Sequence, residues 1–259
     1  MKLSTLKPEI HKSPIEILRV SENGQHLFSG DSHGVIGHWH IPTNKLVTDY
    51  GSLNSCRVTG MVCGHGDPEF LFTVDTDKNL NQLSVREQIL VKGFPNILQG
   101  TVDQMVVTLD NQYLFIGDRL GNMKQFTIQK DFQIKMNFRR AHKSGIFAML
   151  IGIDSLLTCD NSGHIIQWSL PEETMKEYGC VHPGGVHNSA VAKNFKQFFV
   201  SDRNGNLSKV NVSEKKITSH GRVLQGGIWA LDITDDSKYL FMSNNSGSLV
   251  QWDIRQASV

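Results

Sequence analysis

The run Asp160-Asn-Ser-Gly-His-Ile-Ile-Gln-Trp168 decides the fold, because variants of it recur along the whole chain. Its first part, Asp160 to Gly163, is turn chemistry: an acid that can bond nearby amides, small polar residues, and a glycine that tolerates positive φ. Its second part, His164 to Trp168, is rich in β-branched and aromatic residues, as a strand is. The leading position recurs as Asp31, Asp75, Asp118, Asp160, Asp202 and Asn244, spaced 44, 43, 42, 42 and 42 residues apart. Eight residues after each stand Trp39, Leu83, Phe126, Trp168, Val210 and Trp252. Three residues after it a glycine stands in five units, as Gly34, Gly121, Gly163, Gly205 and Gly247, and Lys78 fills that slot in the second. A period of about 40–45 residues carrying strand-turn-strand signals marks a β-propeller blade.

Working outward from the fourth unit, Ile146–Ile151 reads as an apolar strand, Ser155–Thr158 as a second and His164–Trp168 as a third. An amphipathic stretch from Thr174 to Val181 reads as an outer fourth. The first and sixth units follow the same order, from Ile15–Val20 to Trp39 and from Ile228–Ile233 to Trp252. The predicted fold class is therefore all-β, a propeller of six four-stranded blades. Its repeat units are 11–52, 53–95, 96–141, 142–181, 182–220 and 221–255, in a single domain 1–259. Few residues follow Ile254, too few for a sixth outer strand. Residues 2–10 precede His11 much as 131–141 precede His142, so the N-terminal segment is expected to complete the last blade and close the ring. A tail without structure, or a shortened copy of a larger propeller, are the competing readings.

Composition bounds the function. With 26 Lys+Arg against 25 Asp+Glu the net charge is +1, which argues against the broad basic face of a general nucleic-acid binder. The four cysteines, Cys56, Cys63, Cys159 and Cys180, form no CxxC pair and read as reduced, mostly buried thiols. The N-terminus has no hydrophobic signal core, and no apolar run approaches the roughly 18 residues that would span a membrane. These features set an expectation of a cytoplasmic protein, with the nucleus as the second compartment.

The repeats resemble the WD40 family. Trp252-Asp253 keeps the Trp-Asp that closes a typical third strand, and Trp39 and Trp168 keep the tryptophan. His11, His142 and His182 stand in the slot before the innermost strand where members of the family often place histidine. The resemblance covers Lys2 to Ile254 and implies a propeller that binds other proteins. The family's usual turn puts the acid directly before the glycine, whereas here the acids sit three residues before it, and only Asp77 in the second unit puts an acid in the usual slot. Its histidine-hydroxyl-tryptophan-acid hydrogen-bond network is therefore not expected intact. Asp31, Asp160 and Asp202 are expected to cap their turns through backbone amides, and Asp75 and Asp118 to be structural like them.

Little points to catalysis. The chain has no nucleophile elbow, phosphate loop or HExxH, so no cofactor, metal or catalytic residue is expected. His33, His38 and His40 cluster, but no cysteine or paired carboxylate completes a ligand set, and they read as a surface strand face. Binding is better argued from the innermost strands. Ile15, Val58, Val102, Ile146, Val186 and Ile228 share one core-like slot. The next position varies: Glu16, Thr59, Asp103, Phe147, His187 and Trp229. Alternation along a strand aims this slot away from the core, toward the mouth of a channel. Acids at Glu16 and Asp103 with aromatics at Phe147, His187 and Trp229 would receive a basic side chain of a partner. A second candidate surface is basic, comprising Lys12, Arg119, Arg139, Arg140, Lys143 and Arg203, and would suit an acidic or phosphorylated peptide. The function expected is a non-catalytic protein-protein interaction scaffold, monomeric by itself and held in a hetero-complex. The alternatives are a propeller enzyme with a metal or acid/base site at the channel mouth, and RNA association through the Arg/Lys face.

Overall fold

The computed structural model describes residues 9–53, 56–128, 132–170, 172–192, 195–234 and 236–255. Among them every regular element is a strand. The chain divides at Arg139/Arg140 into two compact units, each containing three antiparallel sheets.

In the first unit, sheet one is β1 (Ile15–Val20), β2 (His26–Asp31), β3 (Val35–His40) and β4 (Lys45–Ser52). Sheet two is β5 (Val58–Cys63), β6 (Phe70–Asp75), β7 (Leu80–Ser84) and β8 (Ile89–Phe94). Sheet three is β9 (Val102–Val107), β10 (Tyr113–Asp118), β11 (Met123–Thr127) and β12 (Ile134–Phe138). The second unit continues with β13 (Ile146–Ile151), β14 (Ser155–Asp160), β15 (His164–Ser169) and β16 (Thr174–Cys180) as sheet four. Sheet five is β17 (Asn188–Val191), β18 (Gln197–Ser201), β19 (Asn206–Asn211) and β20 (Lys216–Arg222). Sheet six has three described strands, β21 (Ala230–Ile233), β22 (Tyr239–Ser243) and β23 (Leu249–Asp253). Each sheet is a meander in which a strand pairs with the next one in sequence. The expectation that residues 2–10 complete the sixth sheet falls outside the described residues, save Glu9 and Ile10, which lie in no strand.

Burial follows strand position. The second strands of sheets one to five are covered on both faces, so their sequences carry little alternation, as in Leu71-Phe-Thr-Val74. The described fourth strands contain no fully buried residue, and each carries a lysine. Within the first unit, Phe28, Ile36, Leu71 and Leu83 join sheets one and two. Phe72, Val74, Leu114 and Phe126 join sheets two and three. In the second unit, Leu157 and Ile165 pack with Phe198, Val200 and Val210, and Phe199 packs with Leu231, Leu240 and Met242.

Two expectations about burial fail. Ile15 is 50% exposed, with no described strand of its unit packed over that side chain, whereas Val58, Val102, Ile146, Val186 and Ile228 in the same slot are buried. Of the four cysteines only Cys159 is buried, inside the doubly covered β14, while Cys180 on an outer strand is exposed.

Candidate functional site

The repeated acids, and Asn244 in the sixth unit, anchor the turns between second and third strands. Asp160 Oδ1 accepts from the amides of Ser162 and His164, both at 2.9 Å. Asp31 does the same for His33 and Val35, and Asp202 for Asn204 and Asn206. Asp118 takes Leu120 and Asn122, and Asp75 takes Asn79. Asn244 receives Ser246 and Ser248, while its amide donates to the Gln225 carbonyl. The turn itself needs only one oxygen, so the second carboxylate oxygen is free to reach another strand.

In sheet four that second oxygen completes a chain of four side chains. Trp168 Nε1 donates to Thr158 Oγ1 (2.9 Å), Thr158 meets His142 Nε2 (2.7 Å), and His142 Nδ1 donates to Asp160 Oδ2 (3.2 Å). This corrects the expectation that the network would be broken: an acid three residues before the glycine can cap the turn and hold the histidine at once. Sheet one keeps three members. His11 bonds Asp31 at 3.0 Å and Ser29 at 2.5 Å, but the Trp39 indole N–H has no partner among the described residues. Sheet five keeps two, His182 and Asp202 at 3.4 Å, because Val200 and Val210 replace the hydroxyl and the indole. Burial alone would raise the carboxyls of Asp31, Asp160 and Asp202. The histidine or asparagine side chains and turn amides outweigh it and hold all three below the usual range.

His38 departs from the surface position expected of it. It is 1% exposed, because β3 is covered on both faces, and it stacks on Phe28 with centroids 4.7 Å apart. Its Nε2 lies 2.8 Å from His26 Nδ1, and His26 Nε2 lies 3.1 Å from Asp67. Burial first, then the neighbouring His26 and His40, pushes the His38 imidazole down to about 4. Since the folded value is below the unfolded one, the unfolded chain takes up the proton first. Stability is full above about pH 6.5 and falls by about 3 kcal/mol as pH drops through 4. Urea titrations across this window should show a shallower pH slope for His38→Phe than for wild type. Equal slopes would remove His38 as the cause.

The variable slot of the innermost strands is a β-bulge. Ile15 pairs with Asp31 and Ile17 with Gly30, leaving Glu16 unpaired between them. The same skip isolates Thr59, Asp103 and Phe147. A bulge re-aims the extra residue out of the sheet register, which explains why packing imposes no common side chain there. In sheets five and six the regular strands begin just past His187 and Trp229. Within the second unit the aromatic members form one row: Phe147 stacks on His187 at 6.4 Å, and His187 meets Trp229 edge-on at 4.9 Å. His187 Nδ1 donates to the Ile228 carbonyl and Asn188 Nδ2 to the Trp229 carbonyl, fixing both backbones. Trp229 is nevertheless 52% exposed.

In the first unit the acids are already partnered. Glu16 pairs with Arg57 at 3.0 Å and Asp103 with Arg119 at 2.6 Å. Arg119, expected on a basic surface, is therefore tied to the acid of the other candidate set. Lys12 and Arg139 line separate cavities, Lys12 beside Asp31 and Asp49, Arg139 beside Lys78 and Lys124. In the second unit Arg140, Lys143 and Arg203 are exposed. Among the described residues no group of three or more His, Cys, Asp or Glu side chains is placed to hold a metal ion.

A chain of the crystal structure of the mitotic checkpoint complex superposes with a TM-score of 0.77 over 97% of this chain and 78% of that one, at 13% identity. The computationally designed Ika8 protein superposes at 0.77 over 95% of this chain and 73% of that one, at 18% identity. The chain shares their fold. No protein-family profile and no curated protein sequence matches it. At such identities the likeness is one of backbone architecture, carried by the meandering sheets and their turns.

Sequence reasoning missed Arg57 and the cavity lysines Lys78 and Lys124. Lys78 had a signal, since it alone replaces a repeat glycine. Arg57 had none, because its pairing with Glu16 joins two repeats.

Proposed function

We propose that this chain is a six-bladed, ring-closed WD40-like propeller in one domain, serving as a non-catalytic platform for protein-protein interaction within an assembly. The observation that carries the reading is the row Phe147-His187-Trp229, with a half-exposed tryptophan held by a rigid backbone. Exposed, pre-positioned aromatics of this kind bind partner side chains at little entropic cost. The apolar side chains Ile15, Leu18 and Val20 left exposed on β1 are what a closing ring would bury. The fold's occurrence in a mitotic checkpoint complex supports protein partners. Free thiols fit a reducing, cytoplasmic setting.

The partner element we propose is a peptide inserting a lysine, arginine or apolar side chain against the row, by cation–π contact or stacking. The paired acids Glu16 and Asp103 contribute less, since an incoming cation would have to displace Arg57 or Arg119. The test is affinity purification with wild type and the Phe147→Ala/Trp229→Ala double variant, after circular dichroism confirms that both fold. Loss of specific partners from the folded variant, by at least about tenfold for a contact worth 1.4 kcal/mol, is the expected result. An unchanged partner list would refute the aromatic row as the binding surface.

A further inference from the structure

We propose that the cavity lined by Lys78, Lys124 and Arg139 in the first unit binds a phosphate monoester. The cavity measures about 460 Å³, has the buried side chains Ile97 and Leu98 in its wall, and includes no acid among its lining residues. The rest of its lining is asparagine and glutamine, which are polar and add no charge. Water occupies about 30 Å³ in the liquid, so the space exceeds what a bare ion needs and leaves room for the group that carries it.

Lys78 supplies an independent observation. Its slot is the repeat glycine, with φ between 80° and 85° at Gly34, Gly121, Gly163, Gly205 and Gly247. Lys78 adopts φ 66° there, a left-handed conformation that costs a residue with a Cβ about 1–2 kcal/mol. The turn does not select lysine: Lys78 N bonds Asp75 O at 3.0 Å, as Gly163 N bonds Asp160 O. What the lysine adds is an ammonium at the cavity, tethered by one bond to the Gln99 carbonyl at 3.3 Å. Its own carbonyl accepts from Ile97 N, tying this strained turn to the cavity wall.

Lys124 is half-buried on β11 and Arg139 follows β12. Burial, and then the charge of Arg139, disfavour the protonated form of Lys124, as expected for cations gathered in a cavity with no acid among its lining residues. The repeat acids of the two turns concerned are occupied: Asp75 by the amide and side chain of Asn79, and Asp118 by the amides of Gly100, Leu120 and Asn122 and by the Asn122 side chain. Three cations suit a dianion better than a single carboxylate, and a guanidinium can grip two phosphate oxygens at once. Lys78, like Lys124, lies outside the surface expected from sequence, which held only Arg139.

The experiment is an amide-detected NMR titration at fixed ionic strength. The probes are inorganic phosphate, a glycine-flanked phosphoserine peptide and its unphosphorylated form. Saturable shifts at Lys78, Asn122, Lys124 and Arg139 are expected with both phosphates and not with the plain peptide. Lys78→Gly, which restores the repeat residue, should melt no lower than wild type and bind at least tenfold more weakly, and Arg139→Gln should weaken binding too. The Phe147→Ala/Trp229→Ala variant should bind phosphate normally, which separates this site from the aromatic row. Tighter binding of the phosphopeptide than of the free ion assigns the ligand to a modified side chain, and equal binding to a free phosphate; both sustain the site. Shifts that never saturate, that spread over surface lysines generally, or that persist undiminished in Lys78→Gly would overturn it.

Discussion

Asp160→Ala is expected to cost about 3–5 kcal/mol, the range for removing one partner from a buried charged hydrogen-bond set. The substitution orphans the Ser162 and His164 amides and leaves His142 Nδ1 without its acceptor, in a site where both side chains are about 1% exposed. Asn244→Ala serves as the control. Asn244 makes comparable turn bonds without a charge or a histidine, and its loss should cost about 1–2 kcal/mol. Denaturant titration at neutral pH distinguishes the two. The acid limb offers a second readout. The Asp160 carboxyl is held below its usual value, so its contribution is complete above about pH 4 and is lost as pH falls through the folded value. Asp160→Ala should therefore lose less further stability on acidification than wild type. A neutral-pH cost below about 1 kcal/mol would show that the chain from Trp168 to Asp160 carries little of the fold's stability.

Phe126→Ala is expected to cost a similar 3–5 kcal/mol by a different route, the cavity left in a packed core. Phe126 is fully buried, stacks on Phe132 at 5.2 Å and meets Phe94 at 5.8 Å, and Phe132 in turn stacks on Phe72. Removing the ring therefore loosens contacts between sheets two and three together. Phe126→Trp should not gain the indole bond of Trp168, because Ile116 stands where Thr158 supplies the hydroxyl. Thermal unfolding of both variants checks this. A tryptophan variant more stable than wild type would contradict the assignment.

The strands were legible because their signals are local. Ile15–Val20 and Ile146–Ile151 are strands with those bounds, and the recurring Asp or Asn located each turn. The four-residue network was not, since it depends on which oxygen of Asp160 faces the turn and which faces His142. The bulge at Glu16, Thr59, Asp103 and Phe147 was visible only as a slot of changing residue type. Its cause is a register skip against the neighbouring strand, which no single strand's sequence displays. Ion pairs such as Glu16–Arg57 were invisible for the same reason: they join residues about one repeat apart.

The meander order of the sheets also sets how the chain reaches its native state. Because each described strand pairs within its sheet with its immediate successor, the described part of every sheet can form from one short stretch of chain as soon as that stretch is available. Loop-closure entropy is small at such separations, and local pairings favour fast folding. During synthesis the first sheets can assemble while later ones are still being made, so that the slow events are left to the packing of sheet against sheet.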